Sequence, residues 1–403
     1  MKFNKFETII LTILCMVQFN HIVDFMLPMP LGPQLNRAFN LSAHEFGILV
    51  SCYTLSSSLA GLAFTLFVDQ FNRKNVLIVF LVGFTLATLN CGLANTYEAL
   101  VFSRCLAGIF GGGLNSIIYV IVGDLFPSEK RGAATGTLMA SFSAASVIGI
   151  PLSLWASNHG GWHVPFIALG ILAMFALVMV CFYVPSLNQH LKGRVQQRFS
   201  PSWDAYSHVV KDRGQILGIL FMMFMMFGHF MIIPYIAQSL VANTGLKESE
   251  LPLVYLIGGG LSFFTSPLIG RWADKKGKIK VFTIIQCIAL VWILMISHLP
   301  VLHSAITLFF VGGFFVFAAG RFVPAMAVIN GLAGPRYRAS YMSLVTSLHQ
   351  LSGSLASFIC GYIIYFDKTT GRLENFGVAG LIACLFGLAA LYIIQKMNTT
   401  AQT

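Results

Sequence analysis

Three side chains that carry charge in water fall inside otherwise apolar stretches of this chain: Asp24, Arg104 and Arg321. Deep in a membrane each costs on the order of 2.5–3.5 kcal/mol, so each is read as functional. Asp24 is the one acid in such a stretch and is the natural proton carrier. Desolvation and a neighbouring guanidinium pull the protonation of a carboxyl group in opposite directions. A motion that separates Asp24 from Arg104 therefore loads a proton, and their re-approach releases it. His21, three residues earlier on the same helix face, can relay that proton. The plainer alternatives are a static Asp–Arg pair and a hydrogen-bonded structural histidine.

Arg321 has no acid inside an apolar run of its own half. A buried guanidinium wants an anion, a water-filled cavity or carbonyl oxygens. Together with His229 and His349, also near mid-depth, it suggests a cavity wall tolerant of anionic or hydroxyl-rich substrates. Arg104 is expected to contribute to the same cavity. The alternative for Arg321 is snorkelling towards the cytoplasm.

These residues need elements to hold them. The chain of 403 residues is 57% apolar and 10% charged, too few charges to cover a soluble protein of this length. About twelve apolar runs recur, each of roughly 20 residues and so long enough to cross the ~30 Å hydrocarbon core. No cleavable signal peptide is expected, because the first run is long and contains Asp24. Asp24 lies about 17 residues from the start of the first run, which leads outward. Arg104 lies about 7 residues into the fourth, which leads inward. At ~1.5 Å per residue they sit at similar levels in the outer half of the membrane.

The net charge of +11 invites a nucleic-acid partner, but its placement argues against one. Alternate loops put nineteen Lys and Arg on one side and leave Arg37, Lys247, Lys368 and Arg372 on the other. That bias puts both termini in the cytoplasm and makes the basic character topological. The eight cysteines, Cys15, Cys52, Cys91, Cys105, Cys181, Cys287, Cys360 and Cys384, all lie in apolar runs without CxxC spacing. They read as packing residues, with no disulfide or metal framework.

The chain is also one half written twice. Asp69 and Asp274 are 274 − 69 = 205 residues apart, each in a basic loop between apolar runs. His21 and His229 are 229 − 21 = 208 apart, and Arg131 and Arg338 are 338 − 131 = 207 apart. Residues 1–185 and 214–403 are expected to form two bundles, with 186–213 as a polar cytoplasmic connector. Such a duplication in a membrane chain points to a transporter. The loop aspartates can cap facing helix ends. Arg73 and Lys74 in one loop, and Lys275 and Lys278 in the other, can pair with an acid such as Asp124. Contacts of this kind suit a conformational latch; the alternative is that they only enforce topology.

At these loops the sequence resembles the major facilitator superfamily over its whole length. Gly270, Asp274, Lys275, Gly277 and Lys278 match that family's loop signature in full, and Asp69, Arg73 and Lys74 keep part of the first copy. His21-Ile-Val-Asp24, Gly149-Ile-Pro151-Leu and Gly160-Gly-Trp162 resemble the bacterial drug:proton antiporter branch, which includes sugar and metabolite exporters. The resemblance implies an all-α membrane protein of twelve transmembrane helices in two six-helix bundles, sited in a bacterial inner membrane. In that fold the first and fourth spans line a central cavity, and a single copy is usually complete. Gly149 and Pro151 are expected to form a bend in span 5, although Ile150 separates them where the branch has Gly directly before Pro. Gly108 and Gly112, after Arg104, suggest close helix packing. The Met-rich run Phe221–Phe230 reads as lipid-facing or packing surface, with an adaptable cavity lining as the alternative.

No P-loop, metal-ligand cluster or nucleophile–base pair is evident, so no enzyme, cofactor or metal is expected. The reading is a proton-coupled secondary transporter, exporting a drug, sugar or metabolite by alternating access. The first rival is an importer or uniporter of an organic anion or a siderophore-like carboxylate chelate, suggested by Arg104 and Arg321. A second, a transport-dead membrane sensor, lacks a loop long enough for a folded domain.

Overall fold

The computed structural model describes residues 3–67, 71–187, 209, 211–333 and 338–400. It is built of helices. The first half contains α1 (Lys5–Met26), α2 (Gly32–Phe39), α3 (Ala43–Phe67), α4 (Arg73–Leu93), α5 (Tyr97–Leu125), α6 (Ser128–Ala144), α7 (Ile150–Gly160) and α8 (His163–Tyr183). The second contains α9 (Arg213–Phe230), α10 (Ile236–Thr244), α11 (Leu251–Lys276), α12 (Lys278–Ser297), α13 (Ser304–Gly320), α14 (Phe322–Leu332), α15 (Arg338–Ile363) and α16 (Phe376–Thr400). Among the described residues eleven stretches are long and apolar enough to cross a membrane. The twelfth span is α15, whose His349, Gln350 and serines lower its hydropathy. Most of the expected connector, residues 188–208, lies outside the described residues.

Polar residues at the helix starts satisfy amide groups that a membrane helix cannot leave bare. Asn4 Oδ1 accepts from the Glu7 amide at 2.7 Å while Glu7 Oε2 accepts from the Asn4 amide at 2.8 Å. Thr96 caps α5 through the Ala99 amide, and Asp212 caps α9 through the Gln215 amide. A two-stranded hairpin, β1 (Tyr365–Phe366) with β2 (Leu373–Glu374), joins α15 to α16. Asn243 of α10 pins it through both the amide and the carbonyl of Leu373. Its turn is closed by Asp367, whose carboxylate accepts from the Thr369 amide and from the Thr369 and Thr370 hydroxyls, which lowers its pKa.

Four spans are broken, each beside a proline that cannot donate to the turn before it. Span 1 breaks after α1 at Pro28 and Pro30, and span 7 after α9 at a 3-10 turn, Ile233–Tyr235, around Pro234. Span 10 breaks at Arg321, three residues before Pro324. In span 5 a π segment, Ala145–Gly149, precedes Pro151, and the Ile150 amide reaches five residues back to the Ala145 carbonyl. Gly149 in that segment lies against Val23 of α1. The expected bend is therefore a π bulge.

The halves meet along α3 and α15. Their hydrogen bonds run from the Arg37–Glu248 ion pair at one rim, through Tyr235 Oη to the Ala43 and Ser357 carbonyls, to Ser354 Oγ on the Ser51 carbonyl. Ser57 Oγ then donates to Gln350 Oε1 at 3.1 Å, and Ser58 Oγ to the Ser347 carbonyl at 2.7 Å. Small hydroxylated residues permit this close approach and tie the backbones together. One apolar cluster, including Leu31, Phe46, Tyr235 and Leu251, crosses between the halves at the Arg37 end. At the basic end the clusters stay separate: Ile10, Leu77 and Leu138 belong to one half, Phe221, Ile329 and Ile394 to the other.

Candidate functional site

Asp24 and Arg104 meet. Arg104 Nη1 donates to Asp24 Oδ2 at 2.9 Å, and both side chains are essentially inaccessible, at 0% and 1% exposure. α1 supplies the acid and α5 the base. Gly108, one turn beyond Arg104, lets α5 reach α3, since a Cβ there would stand 2.4 Å from the Tyr53 carbonyl oxygen. That approach sets the Arg104 guanidinium 4.3 Å over the Tyr53 ring, a cation–π contact in a dry setting. Thr88 of α4 donates to Asp24 Oδ1 at 3.2 Å. His21 is buried one turn below, beside Tyr53 and Phe84, and neither ring nitrogen has a hydrogen-bond partner among the described residues. Further along the same face, Gln18 Nε2 donates to Asn115 Oδ1 at 3.1 Å.

Arg321 occupies the break between α13 and α14, with 1% of its surface exposed. It does not snorkel. Nη1 donates to Gln286 Oε1 on α12 at 3.0 Å, and Nη2 lies 3.4 Å from His229 Nδ1 on α9. Gln286 is oriented by its own bond to the Gly387 carbonyl of α16. No acid pairs with Arg321 among the described residues, and its Nε is buried without a partner.

A cavity of about 480 Å³ lies between the halves. His229 and His349 are on its wall, with Gln350, Ser262 and other hydroxyls such as Thr54 and Ser143; Met and Phe are the commonest of the remaining residues. Met222 and Met226 face it, so one side of the Met-rich run lines the cavity instead of lipid. Arg104 and Arg321 do not line it. Arg104 turns into the first bundle towards Asp24, leaving Phe25, Met26 and Thr54 to form that side of the wall. Arg321 stands behind His229. The expected shared wall is thus two histidines backed by one cation, with the acid–base pair in a separate compartment.

The loop residues divide similarly. Asp69 lies outside the described residues. Arg73 Nε is 3.3 Å from Asp124 Oδ2, while Lys74 Nζ donates to the Cys181 carbonyl at 2.8 Å. In the second copy Asp274, Lys275 and Lys278 are exposed, and Lys278 Nζ reaches the Ala327 carbonyl at 3.3 Å. Gly270, a turn before Asp274, lies within α11, where a Cβ would stand 3.5 Å from Val323 of α14. Gly277 takes φ 94°, a conformation that L side chains rarely adopt, and so turns α11 directly into α12. Asn72 at the matching place has φ −62° and caps α4 with its side chain. All eight cysteines are free.

Thr88, Tyr53 and Gln286 complete the two buried sites and were not singled out by the sequence. Gln286 alone carried a signal, as a lone amide within an apolar run.

The sequence profile of the Major Facilitator Superfamily matches residues 14–357. The chain is 24% identical over 383 residues, 94% of each chain, to the uncharacterized MFS-type transporter YceJ of Bacillus subtilis. It is 23% identical over 252 residues, 60% of each, to the cis,cis-muconate transport protein of Acinetobacter baylyi. In fold it is similar to a bacterial homolog of the human lysosomal transporter Spinster, solved inward-facing and unoccupied, with a TM-score of 0.78 at 15% identity over 98% of this chain and 99% of that one.

Proposed function

Because the chain belongs to the Major Facilitator Superfamily, we propose that it exports a small organic molecule in exchange for protons, by alternating access. Membership makes it a secondary transporter and not an enzyme. A multi-span chain with bacterial relatives sits in a bacterial inner membrane. The observation that carries the proton reading is the Asp24–Arg104 pair: one acid, wholly buried, bonded to one base at 2.9 Å. A buried ion pair is weak as a stabilising device, since desolvation offsets most of its attraction. It suits a switch better. Proton arrival neutralises Asp24 and weakens its hold on Arg104, so α1 and α5 can shift.

The basic loops orient the chain with the Arg37 rim outward, so the present state is closed outside and its cavity belongs to the cytoplasmic side. Substrate enters there, among Met and Phe side chains. The loop residues Asp69, Arg73, Lys74, Asp124, Gly270, Asp274, Lys275, Gly277 and Lys278 act as a conformational latch whose Arg73–Asp124 contact is made in the present state and re-forms elsewhere in the opposite one, and the π bulge before Pro151 supplies the bend.

The test is proton movement in reconstituted vesicles, wild type against Asp24→Asn, with drugs, sugars and organic acids added in turn. The expected result is substrate-triggered proton flux that disappears in the variant. Substrate flux that persists in Asp24→Asn without proton movement overturns the antiport reading and leaves a facilitator. A second reading, uniport or import of an organic anion, is favoured by Arg321, a buried cation with no acid partner among the described residues. The likeness to a muconate transport protein leans the same way.

A further inference from the structure

We propose that the cavity wall at His229 is a carboxylate-binding subsite, and that the preferred substrates are apolar organic molecules bearing one anionic group. The inference rests on reading the chain as a transporter of small organic molecules, but not on how transport is powered.

Arg321 cannot lose its proton in a protein, so its charge persists in the second bundle. Its two recorded contacts, Gln286 Oε1 and His229 Nδ1, are neutral acceptors. They satisfy hydrogen bonds and leave the charge uncompensated. Low-dielectric surroundings make such a charge felt at longer range than in water. A guanidinium only donates, so His229 Nδ1 must accept and the ring proton must sit on Nε2. Because Nδ1 is occupied by Arg321, Nε2–H is the polar group that His229 has left for a ligand in the cavity it lines. The histidine thereby presents a donor polarised by the cation behind it, and an anion placed there is attracted by both. His349, on the same wall, adds a second imidazole.

The rest of the wall sets the other half of the ligand. Met26, Met222, Met226, Phe230, Tyr255 and Phe322 offer apolar, adaptable surface. The volume of about 480 Å³ suits one small organic molecule. An apolar body with a single carboxylate matches both; the wall's neutral hydroxyls, such as Thr54, Ser143 and Ser262, can serve any polar ligand, and it is the charge behind His229 that singles out an anion.

The measurement is equilibrium binding to the full-length protein in phosphatidylcholine nanodiscs, without a proton gradient. The probes are 2-naphthoate, its neutral isostere 2-naphthamide, and 2-naphthylmethylammonium. Naphthoate is expected to bind at least about tenfold more tightly than the amide, with the ammonium weakest. Arg321→Gln and, separately, His229→Phe are expected to bring the ratio of naphthoate to naphthamide affinity close to one, whatever each does to the amide alone. A single symmetric gel-filtration peak and a wild-type far-UV circular dichroism spectrum certify that each variant is folded. Equal affinity for naphthoate and naphthamide in the wild type overturns the proposal, as does a preference that survives both substitutions. Failure of proton coupling in the vesicle assay leaves these affinities untouched, so the two readings fail separately.

Discussion

Thr88 donates its hydroxyl to Asp24 Oδ1 at 3.2 Å, on the carboxylate oxygen opposite the one that Arg104 holds. The two partners differ in what they can follow. A guanidinium only donates, so it is matched to the carboxylate; a hydroxyl donates to the carboxylate and accepts from the protonated acid. Thr88 can therefore stay bonded to Asp24 through a full cycle. Thr88→Val keeps the volume and removes the bond, which at a charged group is worth about 1.5–3 kcal/mol. Substrate-driven proton flux is expected to fall roughly tenfold or more, and Thr88→Ser to restore most of it. Unchanged flux in Thr88→Val would make the threonine a packing residue.

The Asp24–Arg104 pair predicts a stability pattern that separates a static brace from a switch. Removing one partner of a buried pair leaves a lone charge and costs about 3–5 kcal/mol, whereas removing both is close to neutral. Arg104→Gln is expected to melt well below wild type in detergent. Asp24→Asn with Arg104→Gln is expected to regain most of the loss and to remain without proton flux. A double variant that is stable and still moves protons would release the pair from any part in coupling.

How much of this was legible in the sequence follows from what spacing encodes. Counting residues along a span gives depth at ~1.5 Å each, and it put Asp24 and Arg104 level, as the structure has them. Counting does not give the direction around the helix axis. Arg104 was therefore expected on the cavity wall, whereas it turns inward to α1. Arg321 has no acid partner among the described residues and bonds instead to Gln286, 35 positions earlier, and nothing in either stretch joins them. The duplication was legible because loops repeat residue types. Span 11 was legible by its position in the repeat more than by its hydropathy, since its serines face α3 and the seam between the halves.

The two copies of the loop signature predict different responses to substitution. Gly277 holds φ 94°, where a side chain costs on the order of 1–3 kcal/mol. Asn72 holds an ordinary φ and caps a helix, a role that glycine replaces at a cost of a few tenths of a kcal/mol, and its side chain also bonds Ser186 Oγ and the Leu187 amide at 2.7 and 3.3 Å. Gly277→Ala is expected to lower the melting temperature through backbone strain, which Gly277→Asn, tolerant of positive φ, should partly relieve; Asn72→Gly loses only side-chain bonds, which Asn72→Asp should partly keep. Equal shifts in the two Gly277 variants would mean that the backbone of the α11–α12 turn relaxes around the side chain.

The Arg37–Glu248 pair bridges the halves at their closed rim, with side-chain exposures of 65% and 19%. An ion pair this wet contributes about 1 kcal/mol at most and is screened by salt. Glu248→Gln should therefore shift the balance of states by about fivefold or less, not abolish transport. Met29 lies on the cavity wall and is only 4% exposed, so a cysteine there reports opening of that rim. With the native cysteines replaced, Met29→Cys is expected to react slowly with a membrane-impermeant maleimide added on the Arg37 side. Glu248→Gln should raise that rate by up to about fivefold, high salt should do the same in its absence, and the exchange of Arg37→Glu with Glu248→Arg should restore the slow rate. A rate indifferent to both substitution and salt would mean that the seam from Tyr235 to Ser58 holds the rim closed unaided.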